Sequence, residues 1–187
     1  VRIDGNGDIA SIIDKSVGRE LLDAPLTLQL LDNEPEEWAA WEIDYDDLMA
    51  EPREIVTGPA EVRVVENGWA RVALEIVRRT GDSEFIQRVK LAAGGAGSRV
   101  EVDNLIHWKS PGTLLKAAFP LNAEGGVATY DLGVGTIERG VNTPQLYEVP
   151  AQQWVHLSGR PQGVALFSDS RYGWDRPAEN TLRLTLL

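Results

Sequence analysis

The chain has 187 residues, 43% of them hydrophobic and 25% charged, a composition that suits one large globular domain or two small ones. A formal charge of −11 argues against a phosphate backbone or an anionic membrane surface as partner, and no apolar run approaches the roughly 20 residues that span a bilayer. The lack of cysteine excludes a disulfide framework and a thiolate zinc site, and it favours a reducing, cytoplasmic setting.

The chain begins inside a strand-like VRID and stops inside LRLTLL, so both ends are expected to be cuts in a longer protein. Val1 to Asp14 reads as a hairpin around Asp4-Gly5-Asn6-Gly7-Asp8. The spacing of Asp4, Asn6 and Asp8 imitates a calcium loop. Ile9 stands where the obligatory glycine belongs and Lys15 where the bidentate glutamate belongs, so a plain β-turn is expected. Pro25 to Leu31 is a short apolar strand. Asn33 to Asp47, NEPEEWAAWEIDYDD, is acidic and aromatic without strand alternation. One helical turn would put Trp38 and Trp41 on the same side. The favoured reading is a packed turn or short helix whose indoles close one end of the core. The sharper one is a sugar-facing surface, because indole faces suit the C–H faces of pyranose rings and carboxylates accept hydroxyl hydrogens.

Ala60 to Arg79 is a hairpin, with Val62 and Val64 alternating with charge, an Asn67-Gly68 turn, and Val72, Leu74 and Ile76 returning. Phe85 to Leu91 is a strand, and Ala92 to Ser98 is a connection without the spacing that phosphate binding needs. In Arg99 to Pro120, Val100, Val102, Ile106 and Trp108 alternate with polar residues, and only Asn104 breaks the period. Pro111-Gly112 supplies a turn and Leu115, Ala117 and Phe119 resume the alternation, so a long central hairpin is expected. Ala128 to Glu138, Gln145 to Val149, a buried Gly163 to Ser168 and Leu182 to Leu187 complete the strands. Roughly a dozen short strands between turn signals argue an all-β sandwich in a single domain, 1–187.

Little in these residues looks catalytic. His107 and His156 are isolated from any zinc-binding spacing, no nucleophile-elbow motif occurs, and nothing selects a carboxylate pair from so many acids. Asp44, Asp46 and Asp47 form the nearest cluster, and solvated surface is the better reading there.

Taken together, five blocks resemble a known family. They are GDIASIIDKSVGRELL, EPEEWAAWEID, RVEVDNLIHW with LLKAAFP, ATYDLGVGTIER with YEVPAQQWVHLS, and GVALFSDSRYGWD followed by NTLRLTLL. In that order they are similar to the C-terminal β region of glycoside hydrolase family 38 α-mannosidases, in the branch shared by bacterial and cytosolic members. The resemblance implies an antiparallel super-sandwich of the galactose-mutarotase-like type. It implies a zinc-dependent retaining exo-mannosidase whose metal and nucleophile lie in an N-terminal barrel absent from this chain. No catalytic residue, metal ligand or cofactor is therefore expected here, and the chain alone is expected to be inactive. The expected partners are its own N-terminal catalytic barrel and a mannosidic oligosaccharide.

Trp38, Trp41, Glu42 and Asp44 match one family block, and Tyr172, Gly173, Asp175 and Asn180 match another. With Trp174, these positions are the candidates for walling the substrate site. Ala39 stands where the family usually shows Asp, and no Asp-Asn-Arg-Gly follows Asp175. Neither Arg176 nor Arg183 therefore inherits a substrate contact, and the linker from Arg139 to Leu146 is shorter than usual. An apolar patch, covered by the barrel in the longer protein, is expected to be exposed. A carbohydrate-binding module using exposed tryptophans is the alternative. A stand-alone aldose epimerase has only the fold type in its favour.

Overall fold

The computed structural model describes residues 1–38, 41–123, 126–159 and 163–187. Among them the regular secondary structure is nearly all strand, with a five-residue helix, Tyr45–Met49, and a 3-10 turn, Gly94–Ser98. The three larger sheets are antiparallel throughout. The residues fall into two compact units. One comprises Val1–Arg2, Ile9–Ile55 and Gly112–Leu187, and the other Ile3–Asp8 and Val56–Pro111.

The first unit is built on a six-stranded sheet in the order Val149–Pro150, Gly173–Ala178, Thr181–Thr185, Thr113–Pro120, Thr27–Asp32, Glu54–Ile55. Thr113–Pro120 has neighbours on both edges, so Leu114, Leu115 and Lys116 are buried although they alternate between faces. Leu31, Leu48 and Leu114 form a small core with Ile43 and Tyr147 packed on it. Each leucine buried there contributes roughly 1.5–3 kcal/mol. A four-stranded sheet in the same unit runs Thr136–Arg139, Ala128–Asp131, Trp154–Leu157, Val164–Phe167.

The second unit is a four-stranded sheet, Glu101–His107, Ser83–Ala92, Arg71–Thr80, Glu61–Asn67. Its registers set Val62 opposite Ile76, Val64 opposite Leu74 and Val89 opposite Val102, all on one face, with Arg63, Glu75 and Arg88 in a row on the other. Ile76 and Phe85 are buried, and the turn before Asp8 closes over that end. Gly7 there has φ +85°, and a Cβ on it would lie 2.7 Å from Ile76 Cγ2 and 2.8 Å from Ala60 Cβ. Arg78 is buried beside it, donating to Asp8 Oδ1 (2.5 Å), to the Val56 carbonyl (2.9 Å) and to Gln87. On the same face Val62, Val64, Val72 and Val102 are exposed, Val64 at 63%.

The Asp4–Asp8 stretch is the plain turn expected, with Asp4 Oδ1 accepting from the amides of Asn6 (2.9 Å) and Asp8 (3.0 Å). Asn104, the break in alternation, is answered by Gln87 opposite it, whose amide donates to Asn104 Oδ1 at 2.8 Å.

Two expectations are overturned. Glu101–His107 and Thr113–Pro120 do not pair as a hairpin, since each belongs to a different sheet. The turn chemistry at Pro111-Gly112 is real, with φ +65° at Gly112. Alternation fixes which face a strand buries but not which strand it pairs with, and Glu101–His107 pairs with Ser83–Ala92 while Thr113–Pro120 pairs with Thr27–Asp32 and Thr181–Thr185. Val164–Phe167 is not buried. Among the described residues it is an edge strand paired to Trp154–Leu157, with Phe167 at 74% exposure.

Candidate functional site

The Trp38 carbonyl accepts hydrogen bonds from the amides of Trp41 (2.7 Å) and Glu42 (3.1 Å), which closes a single turn. Trp38 has φ +57°, the left-handed region that aromatic residues rarely adopt, so the backbone leaves helical geometry there. The indoles consequently face solvent, Trp38 at 66% and Trp41 at 86% exposure, and do not close the core as the favoured sequence reading had it. Ile43 and Leu48 do the packing instead. Ala39, the departure from the family pattern, lies outside the described residues together with Ala40.

Helix Tyr45–Met49 follows. Asp44 is its half-buried N-cap in extended conformation, and Asp46 and Asp47 in the first turn suit the positive end of the helix. Glu42 is exposed. Two side chains from outside this segment donate to its backbone carbonyls. The Tyr147 hydroxyl donates to the Ile43 carbonyl at 2.9 Å, and Arg183 Nη2 donates to the Leu48 carbonyl at 2.7 Å. The Tyr147 ring also meets Tyr45 edge-on, 5.5 Å between centroids.

The second family block lies mostly inside the protein. Trp174 is fully buried, opposite Val149 in the sheet, and its indole N–H has no partner among the described residues. Its place is the core, which corrects the expectation of a sugar-facing ring. Asp175 is fully buried too. It accepts from Arg183 Nη2 (2.7 Å) and Nε (3.0 Å) and from Asn142 Nδ2 (2.9 Å), and pairs with Lys116 Nζ at 3.1 Å. Lys116 also donates to Glu148 Oε2 (2.5 Å) and Thr185 Oγ1 (2.6 Å). Two cations thus face two carboxylates, and a Cβ at Gly173 would collide with the Glu148 carboxylate that completes the set. A carboxylate surrounded in this way holds the fold and does not line a ligand surface. Tyr172 (half exposed) and Asn180, which donates to Asp23 Oδ2 at 3.0 Å, sit at opposite ends of strand Gly173–Ala178.

The structure therefore gathers Trp38, Trp41 and Glu42 into one exposed turn beside Asp44, and draws Trp174 and Asp175 into the interior. Sequence reasoning missed Lys116, Asn142, Tyr147, Glu148 and Arg183. A signal existed for two of them: cations inside the apolar strands LLKAAF and LRLTLL demand buried carboxylates. Exposed indoles among carboxylates can stack on apolar faces and accept hydroxyl hydrogens. No group of three His, Cys, Asp or Glu among the described residues could hold a metal ion.

The family model for the glycosyl hydrolases family 38 C-terminal domain matches residues 1–187. Alpha-mannosidase 2C1 of Mus musculus is 31% identical over 197 residues, spanning 100% of this chain and 18% of that protein. Alpha-mannosidase 2C1 of Homo sapiens is 30% identical, spanning 92% and 17%, and alpha-mannosidase G of Dictyostelium discoideum is 29% identical over the same shares. The chain thus spans less than a fifth of the length of these relatives. Two solved structures from Enterococcus faecalis, a glycosyl hydrolase family 38 protein and an alpha-mannosidase, superpose over 100% of the chain. Both have TM-scores of 0.76 at 16% and 17% identity, over 25% and 24% of their own lengths. That likeness shows the fold, and the all-β, antiparallel super-sandwich expectation stands.

Proposed function

This chain belongs to the glycosyl hydrolases family 38 C-terminal domain family, and from that premise we propose that it is the C-terminal β region of an α-mannosidase that hydrolyses terminal α-mannosyl residues. The match over all of 1–187, to relatives more than five times as long, carries the reading. In it the 187 residues act as one β domain, in the cytoplasm, beside an N-terminal catalytic region that holds a zinc ion and the nucleophile. Among the described residues no set of side chains fits that metal, and no step of the chemistry is assigned to them. Retaining hydrolysis requires two carboxyl groups about 5–5.5 Å apart, one as nucleophile and one as acid. Asp175 and Glu148 are both engaged by Lys116 and are not available for that work.

The contribution assigned to this chain is support of the catalytic region and, through Trp38, Trp41, Glu42 and Asp44, part of the wall of the substrate site. The purified chain, assayed with an aryl α-mannoside and added zinc, is expected to give no turnover. Sustained hydrolysis would refute the division of labour. A carbohydrate-binding module is the second reading, favoured by the exposure of the two indoles. In a chemical-shift titration with mannobiose, saturable shifts at Trp38 and Trp41 support it, and a flat titration removes it. Trp174 is expected to stay silent in either case because it is buried.

A further inference from the structure

We propose that Tyr147 and Arg183 are positioning residues for the Trp38–Asp44 turn. The proposal rests on the reading of that turn as a ligand-facing wall. The turn has few attachments of its own. Trp38, Trp41 and Glu42 are exposed, and among the described residues the bonds within it run from the Trp41 and Glu42 amides to the Trp38 carbonyl. Its direction is set where the chain re-enters the protein, and two carbonyls are captured there by side chains from distant parts of the sequence.

The first anchor, Tyr147 to the Ile43 carbonyl, acts two residues after Trp41. The second, Arg183 to the Leu48 carbonyl, acts near the end of the helix that follows. Between the two, Leu48 is fully buried against Leu31 and Leu114. Arg183 is itself fixed by its fork on Asp175, which Lys116 and Asn142 hold in turn. Asn142 also reaches the helix, with Nδ2 at 3.3 Å from Met49 Sδ. The buried ion cluster thereby acts on the exposed turn through one guanidinium. Neither anchor touches the indoles, so their role is placement and not contact.

Tyr147→Phe deletes one oxygen and leaves the ring on Tyr45. Amide order parameters at Trp41, Glu42 and Ile43 are expected to fall from the rigid value of about 0.85 to below about 0.6 in the variant. Arg183→Lys keeps a cation beside Asp175 but loses the fork, and loosens Tyr45–Met49 in the same measurement. Amides that stay at wild-type values in both variants overturn the proposal. In the longer parent enzyme, Tyr147→Phe is expected to raise KM for an aryl α-mannoside about two- to tenfold, the reach of one lost hydrogen bond, with kcat within about twofold. A purely structural role would lower active-enzyme concentration, and so kcat, and leave KM alone. Amides that loosen while KM stays fixed retain the positioning and remove the wall reading.

Discussion

Replacing Asp175 by Asn keeps shape and removes one charge from the middle of the buried cluster. Lys116 is 0% and Arg183 5% exposed, so neither cation can turn to water. Glu148 remains on Lys116, but Arg183 loses its counter-charge and keeps only neutral acceptors among these partners, the Leu48 carbonyl and the one amide oxygen of the new side chain. An uncompensated buried cation costs about 3–5 kcal/mol, whereas replacing all the charges by apolar groups of similar volume is often neutral. At about 2–4 °C per kcal/mol for a chain of this size, Asp175→Asn is expected to lower Tm by roughly 6–20 °C. Lys116→Met combined with Glu148→Gln, Asp175→Leu and Arg183→Met, which removes all four charges, should lose much less. Urea unfolding, with hydrogen exchange of the Thr181–Thr185 amides as the local probe, measures both. A single-variant loss below about 1 kcal/mol would refute the view that Asp175 is the counter-charge of a desolvated pair.

Two further outcomes follow from other places in the fold. Gly7→Ala meets both a positive φ and atoms within 3 Å, so it should cost about 2–4 kcal/mol. Gly18→Ala, at φ +68° with no atom within 4 Å, should cost only about 1 kcal/mol; equal losses in urea titrations would show that backbone conformation alone governs both sites. Arg88 and Arg63 donate to the Glu75 carboxylate and hold it below its ordinary 4.5, so the stability it contributes is full above that value and is lost as pH falls through the lower one. Glu75→Gln should flatten the acid limb of stability measured from pH 7 to pH 3. Asp8 works in the opposite sense. Burial raises its carboxyl above 3.8 despite Arg78, so its contribution declines as pH rises through the raised value.

Strand positions and turns were legible because they depend on local chemistry. Asn67-Gly68 closes its hairpin as read, and Arg71–Thr80 and Ser83–Ala92 carry the alternation that marks them. Pairing was not legible at Pro111-Gly112, because a good turn says that the chain bends and not that the flanking strands meet. The second family block failed as a surface for a related reason. Trp174 and Asp175 were read from a motif, but burial is decided by Val149–Pro150 and Thr181–Thr185 on either side of their strand. The anchors were invisible for a third reason. Tyr147 lies 104 residues from Ile43 and Arg183 135 residues from Leu48, and no local pattern encodes a bond across such distances.

The charge of the chain, read at first as a property of the whole, belongs largely to one segment. From Asp32 to Glu54 stand ten acidic residues and one arginine, and that arginine, Arg53, is paired with Asp32. Repulsion within such a stretch opposes compaction. Burial of Leu48 contributes roughly 1.5–3 kcal/mol against it, and a bond from a charged donor such as Arg183 a further amount of about 1.5–3 kcal/mol. A few anchors therefore decide where the acidic turn sits, while its carboxylates stay in water around two exposed indoles. On the proposed reading of this turn as a wall of the substrate site, such a surface offers acceptors and apolar ring faces together, which suits a neutral polyhydroxyl ligand. It sets a like-charge penalty against phosphorylated or sulfated ones. On that proposed reading, the negative charge of the segment selects neutral sugars over anionic ones.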